Sequence, residues 1–243
     1  MEEVSAEDPT AELGQPPPFA PMPPPNLAAI RSRRMMVLIL CLGLASILAL
    51  GVFAWRREIR GRQIVARTEA IANMKSLCWA LEEFQDDYGR CPDATTAAKV
   101  KADTGTPLTL GTSSSNQIFR QLIVTRIKSE RPFYARTAFT HRPDDNFADD
   151  AHMLAPGECG FAYVPDGANS SDPDAPVLMT PTVRGGPLFD PSICGDALIL
   201  KSDSTIVALP IDKSGHAIWK GMDLLDPRQT FWHGKAPDVK WPE

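Results

Sequence analysis

From Met35 to Trp55 the chain reads MMVLILCLGLASILALGVFAW, 21 residues without a charge. A helix crossing the hydrocarbon core of a bilayer needs about 20 such residues, so the run is long enough to span. Arg31, Arg33 and Arg34 bracket it on one side, Arg56 and Arg57 on the other, and Trp55 suits an interfacial anchor. A secretory leader has an apolar stretch of about 7 to 15 residues near its start. Here the run is longer and 34 residues precede it, which leaves cleavage after Val52–Ala54 as the lesser alternative. Cys41 follows Leu40, a large residue where a lipoprotein site wants a small one, so lipidation is discounted.

The segment before the run, including EDPTAELGQPPPFAPMPPPN, is acidic, poor in aromatics and rich in proline. Such a stretch cannot bury enough surface to offset its chain entropy. Residues 1–34 are expected to be a solvated tail of polyproline character, or a docking motif for a partner. The whole chain has 243 residues, 43% hydrophobic, enough for one modest domain with appendages. A net charge of -5 without a basic stripe excludes nucleic acid as a partner.

Past the apolar run, residues 56–90 contain no proline, and only Gly61 weakens their helicity. Ile64, Ile71, Met74, Leu77, Cys78, Leu81, Phe84 and Tyr88 recur mostly in steps of three, four or seven, which is one face of a helix. Gly89 is placed to follow the C-cap and Pro92 prevents resumption. No stop signal separates this amphipathic stalk from the apolar run. The spacing therefore predicts one helix of about 53 residues, roughly 80 Å long at 1.5 Å per residue.

Beyond it, residues 91–243 are expected to form the globular domain. Residues 94–116 read as a polar loop, and NQIFRQLIVTRIKSE as a second helix capped by Ser115 or Asn116. HRPDDNFADDAHMLAPGECG is again a loop. GFAYVP, PVLMTPTV, DALILKS, TIVALPI and HAIWK are strand candidates, with KSDST and DKSGH as hairpin turns. IVAL, DKSG and HAIW form the clearest local hairpin. The fold class is α+β: helices first, then a small antiparallel sheet on which the long helix packs.

An apolar helix running into NMKSLCWALEEFQDDYGRCPD resembles the major pseudopilins of type II secretion systems and their type IV pilin relatives. The resemblance rests on Asn73, Leu77, Ala80, Leu81, Phe84, Asp87, Gly89, Arg90 and Pro92, and covers about residues 35–93. Cys91 stands where that group usually has tyrosine. The group's processing site, a small residue before an aromatic with a glutamate five residues on, is missing from RSRRMMVLILCLG. The resemblance implies a pilin-like domain on an uncleaved anchor, a single-pass protein of a bacterial inner membrane with its domain in the periplasm. It implies a structural or assembly role in protein transport, without catalysis, and with other pilin-like subunits, secretion-system proteins or further copies of the chain as partners. Taken alone, Arg56, Arg57, Arg60, Arg62 and Arg67 outnumber the arginines of the N-terminal flank and place the domain in the cytoplasm. A different class of function is a membrane-tethered module that recognises an envelope protein, a peptide or a glycan.

Four cysteines lie outside the apolar run: Cys78, Cys91, Cys159 and Cys194. They allow three disulfide connectivities, of which Cys78 with Cys91 is favoured by the turn at Gly89, with four buried thiols as the alternative. Asp144, Asp145, Asp149 and Asp150, with Asn146 among them, form an acidic cluster whose hard oxygens suit calcium. The resembled pseudopilins hold calcium in a C-terminal loop, although the order here is not that of an EF-hand, and a solvated loop is the alternative. No other cofactor is suggested. His141, His152, His216 and His233 lack helical metal-site spacing. A Cys-His hydrolase would pair Cys159 with His152 or His216, or use Cys194. Trp219, Phe231, Trp232 and Trp241 would clamp the tail of the chain onto the domain, or form a partner-binding patch.

Overall fold

The computed structural model describes residues 27–243, with side chains at Met35, Met36, Leu40 and from Leu42 onward. Most of the expected proline-rich tail lies outside the described residues. Helix α1 spans Leu27–Tyr88, so it begins ahead of the expected Met35. After Pro25 the sequence LAAIRSRR holds neither proline nor glycine, and nothing in it opposes helix formation. Among the described residues no helix is long and apolar enough to cross a membrane. Val37, Leu38, Ile39 and Cys41, which belong to the uncharged run, are not among the described side chains.

The chain divides after Phe53 into two units. In the second, α1 buries Ala66, Ala70, Met74, Leu77, Leu81 and Phe84, separated by steps of four and three. This is the expected amphipathic face with one correction. Ile64, expected on it, is 65% exposed, and the buried positions at that level belong to Ala66 and Ala70, whose small side chains carry little hydrophobic signal. The helix stops where Gly89 turns to φ +81, a conformation costly for any residue with a Cβ, and donates its N–H to Gln85 O at 2.7 Å. The turn beyond is fastened three times. Arg90 pairs with Asp93 at 2.6 Å, Asp93 Oδ1 accepts from the amides of Thr95 and Thr96, and Tyr163 Oη donates to Pro92 O at 2.8 Å.

Helix α2, Ala97–Thr104, occupies part of the segment expected to be a loop. It buries only Val100 and ends at Gly105. Helix α3, Ser115–Thr125, is the expected second helix, but its cap is Ser114, whose side chain accepts from Gln117 N. A 3-10 turn follows at Arg131–Phe133.

Four antiparallel strands form one sheet in the order β1-β2-β3-β4: β1 Ala162–Tyr163, β2 Pro176–Thr180, β3 Ala197–Lys201 and β4 Ile206–Leu209. The short helices α4, Pro165–Ala168, and α5, Pro191–Cys194, lie in the β1–β2 and β2–β3 connections. The strands send residues into two cores, alternating except at the register shift between Pro176 and Leu178, where Val177 and Leu178 enter the same one. Tyr163, Val177, Leu178, Leu198 and Leu200 join the buried face of α1 together with Phe119, Leu122 and Phe133. Ala162, Met179, Ala197, Ile199 and Leu209 join Phe189, Leu224, Phe231 and Trp232 in a second core. The sheet is thus covered on both faces, which explains why β2 is buried throughout.

KSDST makes the expected hairpin between β3 and β4, with Lys201 N donating to Thr205 O. The hairpin expected from IVAL and HAIW forms only in part. Asp212 N donates to His216 O and Ile211 bridges Ala217, but β5, Ile218–Trp219, pairs with β6, Met222–Asp223. Ile218 N still donates to Pro210 O at 2.9 Å, but Pro210 has no N–H to return the bond, so the ladder from β4 ends there and the other edge of β5 is taken by β6.

Candidate functional site

Between α3 and β1 some 35 residues run with no regular element except the 3-10 turn, and carboxylates hold them. Three of those carboxylates converge. One oxygen from each of Glu130, Asp144 and Glu158 lies within 4.8 Å of the others, an arrangement that could hold a metal ion. Glu130 is the residue ahead of the 3-10 turn, with its side chain directed away from it, Asp144 sits in the HRPDDNF loop, and Glu158 leads into β1. Glu130 and Glu158 are buried, while Asp144 is exposed on the rim.

Backbone amides fix each group. Glu130 Oε1 accepts from Leu154 N at 2.5 Å. Glu158 Oε1 accepts from Asp144 N at 3.2 Å and its Oε2 from Ala155 N at 2.6 Å. Asp144 Oδ1 accepts from Asn146 N at 2.9 Å. Close backbone packing sets the position of Glu158. Gly160 N donates to Phe133 O at 3.0 Å, and a Cβ at Gly160 would stand 2.1 Å from Ala135 O. Only a glycine lets the two segments approach this closely.

The electrostatics are one-sided. Burial, and after it the charges of Glu158 and Asp144, push the Glu130 carboxyl up to about 7, against the opposing hydrogen bond from the Leu154 amide. Among the described residues none of the three acids makes an ion pair. Arg131, the nearest in sequence, is engaged by Asp145 (Nε–Oδ2 3.1 Å).

The acidic cluster read from the sequence is therefore largely dispersed. Of Asp144, Asp145, Asp149 and Asp150, only Asp144 belongs to the convergent group. Asp145 accepts from Ser129 Oγ and Glu130 N. Asp149 accepts from the amides of Ala151 and His152 and pairs with the His152 ring at 2.7 Å. Asp150 accepts from Thr109 N at 2.7 Å and faces Arg120, which also donates to Asp150 O. Only Asp149 closes its own turn, as short acidic side chains do in loops, while Asp145 ties its loop to Ser129 and Glu130 and Asp150 ties its own to Thr109 and Arg120. Glu130 and Glu158 escape a sequence reading because 28 positions separate them. Their one signal is a glutamate set in otherwise core-bound context, as in GECGFAY.

Cys78, Cys91, Cys159 and Cys194 are buried free thiols, so the Cys78–Cys91 disulfide is not formed in this structure. Both residues line one cavity with Leu81, Gln85 and Val177. Cys91 Sγ donates toward Leu81 O (3.8 Å) and Gln85 Oε1 (3.6 Å), and Cys78 Sγ toward Glu82 Oε1 (3.5 Å). Cys159 contacts Ser115 Oγ and Phe161 O, not a histidine, and burial pushes its thiol up to about 12. His152 is on Asp149 and His216 stands 2.8 Å from Asp223. The Cys-His pairing considered from the sequence is therefore not assembled.

Of the four C-terminal aromatics, two are buried, while Trp219 and Trp241 pack on the second core only in part. Phe231 and Trp232 are buried against the sheet, with Trp232 Nε1 donating to Leu224 O at 2.7 Å. Lys240 exchanges two backbone hydrogen bonds with Tyr163, and Glu243 accepts from Ser114, Gln117 and the Gly157 amide. Comparison with known proteins finds no match of any family model, curated protein or solved structure to this chain.

Proposed function

We propose that the chain is a membrane-anchored, pseudopilin-like structural subunit that assembles with other pilin-like subunits through its long helix and its domain. In this reading Met35–Trp55 sits in a bacterial inner membrane, the α+β domain stands in the periplasm, and the system served is of the type II secretion or type IV pilus kind. No residue acts catalytically.

The observation that carries the reading is α1 itself. A single helix, Leu27–Tyr88, bears the uncharged run and, farther along, the face on which the domain's core is built. Along the run the described apolar side chains are exposed, among them Leu42, Ile47, Leu48, Leu50 and Phe53. Apolar surface on that scale calls for lipid or a partner to cover it. Ile64, Val65 and Trp79 extend exposed apolar surface along the part of α1 beyond the run, where association would bury it from water.

The test is cross-linking of the full chain in intact cells. A structural subunit is recovered joined to itself or to other pilin-like subunits, and Ile64→Asp combined with Trp79→Asp lowers that yield. Recovery of a single unrelated envelope protein, with no self-contact, would instead support a tethered binding module.

A further inference from the structure

The Glu130 carboxyl is wholly buried, and although Oε1 accepts from Leu154 N, its other oxygen, Oε2, has no hydrogen-bond partner at all. A buried carboxylate oxygen without a donor is costly, and a second buried carboxylate beside it costs more. Glu158 is that second group, only 3% exposed, and Asp144 brings a third from the rim. Among the described residues no lysine or arginine pairs with any of the three. Buried carboxylates beside one another are relieved in proteins by a counter-charge, a metal or a proton.

We propose that Glu130, Asp144 and Glu158 bind one hard divalent cation, of which calcium is the fitting kind, and that the ion fastens the loop 126–161 into one body. The donors are all carboxylate oxygens with no thiolate or imidazole among them, which selects hard cations over zinc or copper. Three oxygens within 4.8 Å of one another leave a point no more than about 2.8 Å from all of them, so a small closing of the side chains brings them to the calcium distance of about 2.4 Å. Magnesium needs about 2.1 Å and near-ideal octahedral order, which acids fixed by separate backbone amides do not readily supply. Three carboxylates leave the remaining positions of the shell to water, which reaches the site past exposed Asp144. The ion joins the residue ahead of the 3-10 turn, the HRPDDNF loop and the entry to β1. It also supplies the positive charge that Oε2 lacks. The expected acidic cluster is a different set of residues, because Asp145, Asp149 and Asp150 are committed elsewhere.

The experiment is thermal unfolding of the full chain in detergent, stripped with chelator and then titrated with calcium chloride or magnesium chloride alone. Calcium at about 100 times its dissociation constant should raise the midpoint by about 5 to 10 °C, with magnesium giving less. Glu130→Gln keeps an acceptor for Leu154 N and removes the buried charge. Its stripped form should melt no lower than stripped wild type and should not respond to calcium. Asp144→Asn, at an exposed position that tolerates the change, should also lose the response, whereas Asp149→Asn should retain it. A wild type indifferent to both ions would overturn the proposal and leave a shared proton as the counter-charge. A full calcium response in Glu130→Gln and Asp144→Asn would overturn it by placing the ion elsewhere.

Discussion

Phe84 and Trp79 lie on the same helix, and the structure assigns them opposite fates. Phe84 is fully buried and stacks on Tyr88 with ring centroids 4.4 Å apart, while Trp79 is 73% exposed. Phe84→Ala removes a ring from a packed core, and such truncations cost about 3 to 5 kcal/mol once the residual cavity is included. The lost aromatic contact lies within that range, so about 4 kcal/mol is the working figure, a thousandfold change in the folding equilibrium. For a domain of this size that lowers the melting midpoint by about 8 to 16 °C. Trp79→Ala deletes a larger side chain that touches little and should stay within about 0.5 kcal/mol. Urea unfolding of the detergent-solubilised chain, followed by circular dichroism, measures both. Equal losses for the two variants, or a Phe84→Ala change under about 1 kcal/mol, would refute the assignment of the buried face.

Gly160→Ala should destabilise by more than about 2 kcal/mol in the same assay, because the added methyl meets the Ala135 backbone rather than a movable side chain; a neutral result would mean the two segments are not in contact. Burial pushes the Cys91 and Cys159 thiols up to about 12 and Cys194 up to about 11, so all three should resist a thiol-reactive dye at pH 8 until the chain is unfolded. Rapid labelling of native Cys159 would contradict its packing against Ser115 and Phe161. The Asp149 side chain raises the His152 pKa, so the pair's attraction is fully present below the ordinary histidine value and fades as pH rises through the raised one. In NMR titration, Asp149→Asn should move His152 back toward that ordinary value, and an unchanged midpoint would show that the contact does not persist in solution.

The repeat of apolar residues from Met74 to Tyr88 made the stalk legible in the sequence, and Gly89 with Pro92 marked its end. Helix α2 was not legible as a helix because its AAKVKADT stretch buries a single side chain, so periodicity had almost nothing to act on. The strands were visible as β-branched and aliphatic runs between turns. Their pairing was not, since the ladder from β4 stops at Pro210, which accepts from Ile218 but has no N–H to donate back, and β6 pairs the other edge of β5. The acidic loop showed a tendency to gather carboxylates without showing which ones meet. The neighbouring aspartates go to separate partners, Asp145 to Ser129 and Glu130, Asp149 to its own turn and Asp150 to Thr109, whereas Glu130 and Glu158 are brought together by the close passage of Gly160 over Ala135. The free cysteines follow the same pattern. Cys78 and Cys91 do share a cavity, as the turn at Gly89 suggested, yet each thiol is directed to an oxygen of α1.

The proposed role depends most on the uncharged run being an anchor. The direct measurement is the distribution of the full chain between membrane and soluble fractions of bacterial cells after alkaline carbonate extraction, with protease added outside the inner membrane. A pseudopilin-like subunit stays with the membrane, has its domain digested from the periplasmic side, and is released when Leu44, Ile47 and Leu48 are replaced by arginine. A wild-type chain recovered in the soluble fraction would contradict the anchor. A membrane-bound chain protected from protease would contradict the periplasmic placement and the secretion-system role built on it.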